Sequence, residues 1–164
     1  MRLSPIVLAL GLVASSAAVP VQGQAPDDQI NPRSVALLKQ GETALAAGKF
    51  SDADDAFETA LAVDPRNRKA FIALGRTAQR QKLFGQAIRF YNKALALEPN
   101  DLDALTAQGT AMVELGALSR AKENLAKVQK ICASNCAQAT TLAAAIARGP
   151  TVAAIKPPPT PKTN

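Results

Sequence analysis

Shifting the sequence by 34 residues lays whole columns of it onto themselves. Gly41, Gly75 and Gly109 fall in register, as do Ala36, Ala70 and Ala104, and likewise Ala53, Ala87 and Ala121. Leu37, Phe71 and Leu105 open the three units; Phe57, Tyr91 and Leu125 form a column of large apolar residues. Ala60 and Ala94 align with Val128, and Pro65 and Pro99 close the first two units where the third has Ala133. A fixed period of this length marks a supersecondary unit that cannot bury its apolar face alone and stacks on copies of itself instead.

The residue types in those columns say what the unit is. Hydrophobic residues make up 48% of the 164, but only 4% are aromatic and there is no Trp. A core of so little aromatic volume must be mostly Ala and Leu, and alanine favours helices over strands. Ala53 and Phe57, four apart, share one helix face, as do their counterparts. Gly inside a helix costs about 0.5–1 kcal/mol against Ala, so the Gly41 column implies a close helix crossing. Gly48 and Gly116 mark tight turns. Ser51 is expected to cap the second helix of the first unit, with Asp52 and Asp54 favourable at its N-terminus. Pro65 and Pro99 push the preceding Asp64 and Glu98 out of the helical region and end their helices. The pattern predicts helices over 34–46, 51–63, 68–80, 85–97, 102–114 and 118–131. A seventh, over 136–148, starts at Ser134 or Asn135 and packs Leu142, Ala145 and Ile146 on the third unit. Its outer positions Gln138, Thr141 and Arg148 are polar, as an end cap requires.

These landmarks resemble the tetratricopeptide repeat, whose 34-residue period carries Leu-Gly, Ala, Phe and Pro at fixed places. The second unit matches best, with Leu74-Gly75, Phe84, Ala87, Tyr91, Ala94 and Pro99. The first matches through Gly41, Gly48, Phe50, Ala53, Phe57, Ala60 and Pro65. The third keeps Gly109, Gly116 and Ala121. The resemblance implies an all-α solenoid of three helix-turn-helix units (34–67, 68–101 and 102–135) plus a C-terminal capping helix. It also implies a concave groove, lined by the first helix of each unit, that holds an extended peptide or protein segment. By register that surface takes Leu38, Glu42 and Leu45 from the first unit. The second contributes Lys69, Ile72, Arg76, Gln79 and Arg80, and the third Asp103, Thr106, Thr110, Val113 and Glu114. The Lys/Asn arrangement with which some family members clamp a C-terminal carboxylate is not reproduced.

The ends read differently. Arg2, an apolar stretch from Ile6 to Ala14 and the small residues Ser15 to Ala18 follow the order of a secretory signal. The apolar part is shorter than the roughly 20 residues that span a bilayer, so a cleaved segment within 1–25 is expected over a membrane anchor. An uncleaved signal would be the one route to membrane contact. With no Asn in a glycosylation setting and abundant alanine, the expected destination is a bacterial periplasm. Residues 26–33 form a polar leader, and 149–164 a Pro-rich tail, a spacer or a ligand through Pro157-Pro158-Pro159. In an exported chain Cys132 and Cys136 are most simply a disulfide across a turn. A redox pair usually has two intervening residues, and a zinc site wants about four ligands.

Chemistry finds little to stand on. There is no His, which removes the commonest general base and metal ligand. No Gly-rich phosphate loop, nucleophile–base pair or metal-ligand cluster occurs, so no catalytic residue, cofactor or metal is expected. The formal charge of +6 is compatible with acidic partners, anionic polymers or a membrane surface and selects none. No specific nucleic-acid partner is implied. The alternatives to a peptide-binding scaffold are self-association through the array's ends and a basic surface for an anionic polymer or membrane. Arg76 and Arg80, one turn apart, suit a carboxylate or phosphate. They can equally form a solvated face balanced by Glu42 or Glu114.

Overall fold

A computed structural model describes residues 29–132 and 136–151. The helices are α1 (Pro32–Ala46), α2 (Phe50–Val63), α3 (Arg68–Arg80), α4 (Phe84–Leu97), α5 (Leu102–Glu114), α6 (Leu118–Ile131) and α7 (Ala137–Arg148). No strand occurs among the described residues. Each odd helix pairs with the next, pairs stack in chain order, and α7 lies against both α5 and α6. The result is an all-α solenoid of three helix-turn-helix units with a capping helix.

Two kinds of joint recur with the period. Each turn between paired helices is closed by the backbone: Lys49 N donates to Ala44 O, Leu83 N to Ala78 O and Ala117 N to Met112 O, at 2.8–2.9 Å. That closure leaves no work for a side-chain cap. Ser51 therefore lies inside α2, whose capping position is Lys49 without a side-chain bond, contrary to expectation. Asp52 does occupy the first turn. The first helices of units two and three are capped by side chains instead. Asn67 Oδ1 accepts from Ala70 N at 3.2 Å, and Asp101 Oδ1 from Ala104 N at 2.7 Å. Asn31 caps α1 by accepting from Arg33 N, with Pro32 in the first turn, so the helix takes in the end of the expected leader. The cap helix begins at Ala137 with Cys136 before it; Ser134 and Asn135 lie outside the described residues, as does the signal segment.

The glycine column does what its spacing implies. A Cβ on Gly41 would stand 2.6 Å from Phe57 Cδ1, and one on Gly75 2.6 Å from Tyr91 Cζ. Both aromatic rings are fully buried. The third unit solves the same problem differently. Leu125 stays half-buried beside Leu105, Val128 and Ala139, and Gly109 receives Leu142 of α7, whose Cδ1 would lie 2.7 Å from an added Cβ. The capping helix thus supplies the plug that an aromatic supplies in units one and two. Just before it, Cys132 and Cys136 are joined by a disulfide, with Cα atoms 6.0 Å apart.

Candidate groove on the concave face

The first helices α1, α3 and α5 line one side of the array, and the expected residues divide between it and the core. Arg76, Gln79, Arg80 and Thr110 share a hollow of about 580 Å³ with Lys82 and Phe84. Arg76, Gln79, Thr106 and Thr110 also border a second hollow of about 380 Å³ toward α7. Leu38, Glu42 and Lys69 line a separate one at the α1 end. Two expectations need correction. Val113 is fully buried: it has the register of Gln79, but α7 packs over that end of α5. Ile72 is 5% exposed and belongs to the core between units two and three.

α7 also changes the groove's wall. Gln138 and Thr141, expected on the outer side of the cap, line the second hollow, and Gln138 Nε2 donates to Asp103 Oδ1 at 3.3 Å. α7 lies past the last repeat, so no column of the 34-residue period assigns these two residues a face. The signal for Gln138 and Thr141 was their spacing on the face flanking Leu142.

Polar side chains of the groove are set from within the core. The hydroxyl of Tyr91 donates to Oε1 of Gln79, so a buried ring fixes the rotamer of a groove residue. Burial pushes the Tyr91 hydroxyl well above the usual tyrosine range, against the opposing effect of Arg76, so it remains a donor. Phenylalanine in the same register, as at Phe57, could not do this. At the joint of units one and two, Ser34 Oγ donates to Ala60 O at 2.7 Å and accepts from Asn67 Nδ2 at 2.8 Å. At the next joint Arg68 pairs with Asp101 at 2.7 Å, both largely buried. Asp64 accepts from the backbone N–H groups of Asn31 and Arg66 and from the Arg66 guanidinium, all within 3.0–3.1 Å. Those bonds, Arg66 first, hold its carboxyl at about 2.

Among the described residues no ion pair joins Arg76, Arg80 or Lys82 to an acid of these hollows. Glu114 accepts from Thr151 N and Oγ1 at 2.8 and 2.7 Å and stands 4.0 Å from Arg148. Glu42 lies in the other hollow, beside Lys39 and Lys69. Desolvation raises the Asp54 carboxyl, while its bond from Gln81 across the joint of units one and two pulls the other way. Among the described residues no cluster of three or more His, Cys, Asp or Glu is placed to hold a metal, and no helix is long and apolar enough to cross a membrane.

Stacked helix pairs with a concave, polar-lined face define an α-solenoid repeat protein. Residues 38–101 match the family model described as tetratricopeptide repeat, and the chain carries tetratricopeptide repeats over that stretch. Among solved structures, the first such domain of Spaghetti (RPAP3), bound to an HSP90 peptide SRMEEVD, is 25% identical with a TM-score of 0.65. It covers 71% of this chain, and this chain covers 91% of it. The first domain of human RPAP3 is likewise 25% identical, with a TM-score of 0.64, covering 71% of this chain and 94% of its own. The TPR2B domain of yeast Sti1, in complex with pHsp70, shares the fold at 17% identity and a TM-score of 0.66, over 72% and 98% of the two chains. No curated protein matches by sequence.

Proposed function

We propose that this protein is a non-enzymatic scaffold of an extracytoplasmic compartment that holds an extended segment of a partner protein in the concave groove. The observation that carries the reading is the convergence of Arg76, Gln79, Thr106 and Thr110 on one concave wall, with Gln79 pre-set by Tyr91. A groove whose side chains are held before the ligand arrives, Gln79 by Tyr91 and the two threonines by their bonds to Leu102 O and Thr106 O, spends less conformational entropy on binding. The RPAP3 domain with its HSP90 peptide gives the reading a structural precedent for peptide occupancy. Two features support the setting: the signal-like order of residues 2–18 and the pairing of Cys132 with Cys136, which persists in oxidising compartments.

A photo-crosslinking residue at Gln79 or Thr106 tests the groove against the same probe at Glu58, exposed on α2. A defined protein trapped from the groove positions and not from Glu58 is the expected result. Equal capture from both faces, or none from the groove, overturns it. Fractionation of cells expressing the full chain tests the compartment, and retention in the cytoplasm refutes it.

A further inference from the structure

Lys82 sits where the other two units have glycine. Positions 48, 82 and 116 share one register, and all three take the left-handed conformation, with φ of 74°, 62° and 75°. The backbone bonds that close the three turns are the same. A side chain in this conformation is disfavoured relative to glycine, because its Cβ crowds the following carbonyl. Nothing in the turn itself requires the lysine. What the lysine adds is a third cation beside Arg76 and Arg80 at the larger hollow.

None of the three is engaged in an ion pair among the described residues. The Arg80 guanidinium lies 5.8 Å from the centroid of the Phe50 ring, which orients it without neutralising it. The acid on the same wall, Glu114, is occupied by Thr151 and Arg148. Leu45 and Phe84 add apolar surface beside the cations.

We propose that this end of the groove is an anion site for the acidic side chains of an extended peptide, and that Lys82, held in a conformation suited to glycine, sets its strength. The proposal rests on the peptide-binding reading and names the chemistry of the segment bound. A concave site walled by helices admits a peptide chain, whereas a lipid surface needs its cations on a flat or convex face. Its apolar neighbours suit aliphatic residues between the acids.

The test uses the full chain and two fluorescein-labelled dodecapeptides, one alternating Glu with Leu, the other with Gln in place of each Glu. Anisotropy titrations should show tighter binding of the glutamate peptide. Lys82→Gly should weaken that peptide by ~5–10-fold, as loss of one charge-assisted contact does, and leave the glutamine peptide unchanged. It should also reduce the slope of log affinity against log salt. Thermal melts of Lys82→Gly should show a stability equal to or above that of the parent, which separates lost binding from lost folding. Equal affinity for the two peptides, or an unchanged glutamate affinity in Lys82→Gly, overturns the proposal. So does binding to vesicles with 30% anionic lipid in preference to the glutamate peptide. If the glutamine peptide binds as well as the glutamate one and Gln79 still crosslinks, the scaffold reading stands and only the anion site fails. If neither peptide binds and Gln79 captures nothing, both fail.

Discussion

Replacing Gly109 with alanine should destabilise the protein when Leu142 is present and stabilise it when Leu142 is gone. Gly109 lies inside α5, where alanine is better than glycine by about 1 kcal/mol. An added Cβ, however, would stand 2.7 and 2.8 Å from the two terminal methyls of Leu142, a side chain with no exposed surface. Overpacking of that kind costs about 1–3 kcal/mol, so Gly109→Ala alone should lose roughly 0–2 kcal/mol. Leu142→Ala alone leaves a hole under the cap and should lose about 2–5 kcal/mol. In the double variant the overlap is absent and the helix gain returns, which gives a coupling of about 1–3 kcal/mol between the two sites. Urea unfolding of the four chains, followed by far-ultraviolet circular dichroism, measures it. Additivity to within about 0.5 kcal/mol would refute the idea that Leu142 fills the seat taken by Phe57 and Tyr91 in the other units. Gly75→Ala is the informative control. Its Cβ meets the Tyr91 ring, a rigid and fully buried group, so the loss should exceed that at Gly109.

Three further outcomes follow from the joints between units. Replacing Cys132 and Cys136 together with serine should cost about 2 kcal/mol, the loop-closure value for so short a ring, with loss of protection concentrated in α7 by hydrogen exchange. Asp64, held at about 2 against an ordinary value of about 3.9, stabilises the fold fully above the higher figure and progressively less as pH falls toward the lower. Melting temperature should therefore drop between about pH 4 and pH 2, and Asp64→Asn should flatten that limb; an unchanged slope would discount the contact with Arg66 and Asn31. Asp101→Ala removes both the cap of α5 and the partner of Arg68, and should lose about 3 kcal/mol or more. Asp101→Asn keeps the cap and should lose less by the same unfolding assay.

The period made most of the fold legible, because Gly, Ala and Pro at fixed offsets are answers to steric problems that any stacked helix pair must solve. What it left out are the places where the array stops being periodic. Ala36 is exposed while Ala70 and Ala104 are fully buried, because among the described residues no helix precedes α1. Val113 and Gln79 share a register, but α7 covers one and leaves the other in the groove. The caps Asn67 and Asp101 were visible as an aligned pair three residues before Ala70 and Ala104. Ser51 is a capping residue type too, but its turn is closed by the backbone and needs no side-chain cap.

That contrast says where to look for what is particular to this protein. Residues that repeat with the period serve stacking, and any sequence with the period can supply them. Function must come from departures that stacking does not require. Gln108 and Asn124 stand in the register of Leu74 and Phe90, but their bonds to each other, to Asn92 of α4 and to Leu105 O spend them on packing within the third unit and at its joint with the second. Tyr91 and Lys82 are departures of the other kind. The tyrosine packs on Gly75 as Phe57 does on Gly41, yet its hydroxyl reaches Gln79 in the groove. Tyr91→Phe should therefore leave the packing almost intact and free the Gln79 side chain. Its predicted signature is weaker peptide binding in the groove with little change in unfolding free energy. A binding loss that merely tracked a loss of stability would show that the hydroxyl serves the fold alone.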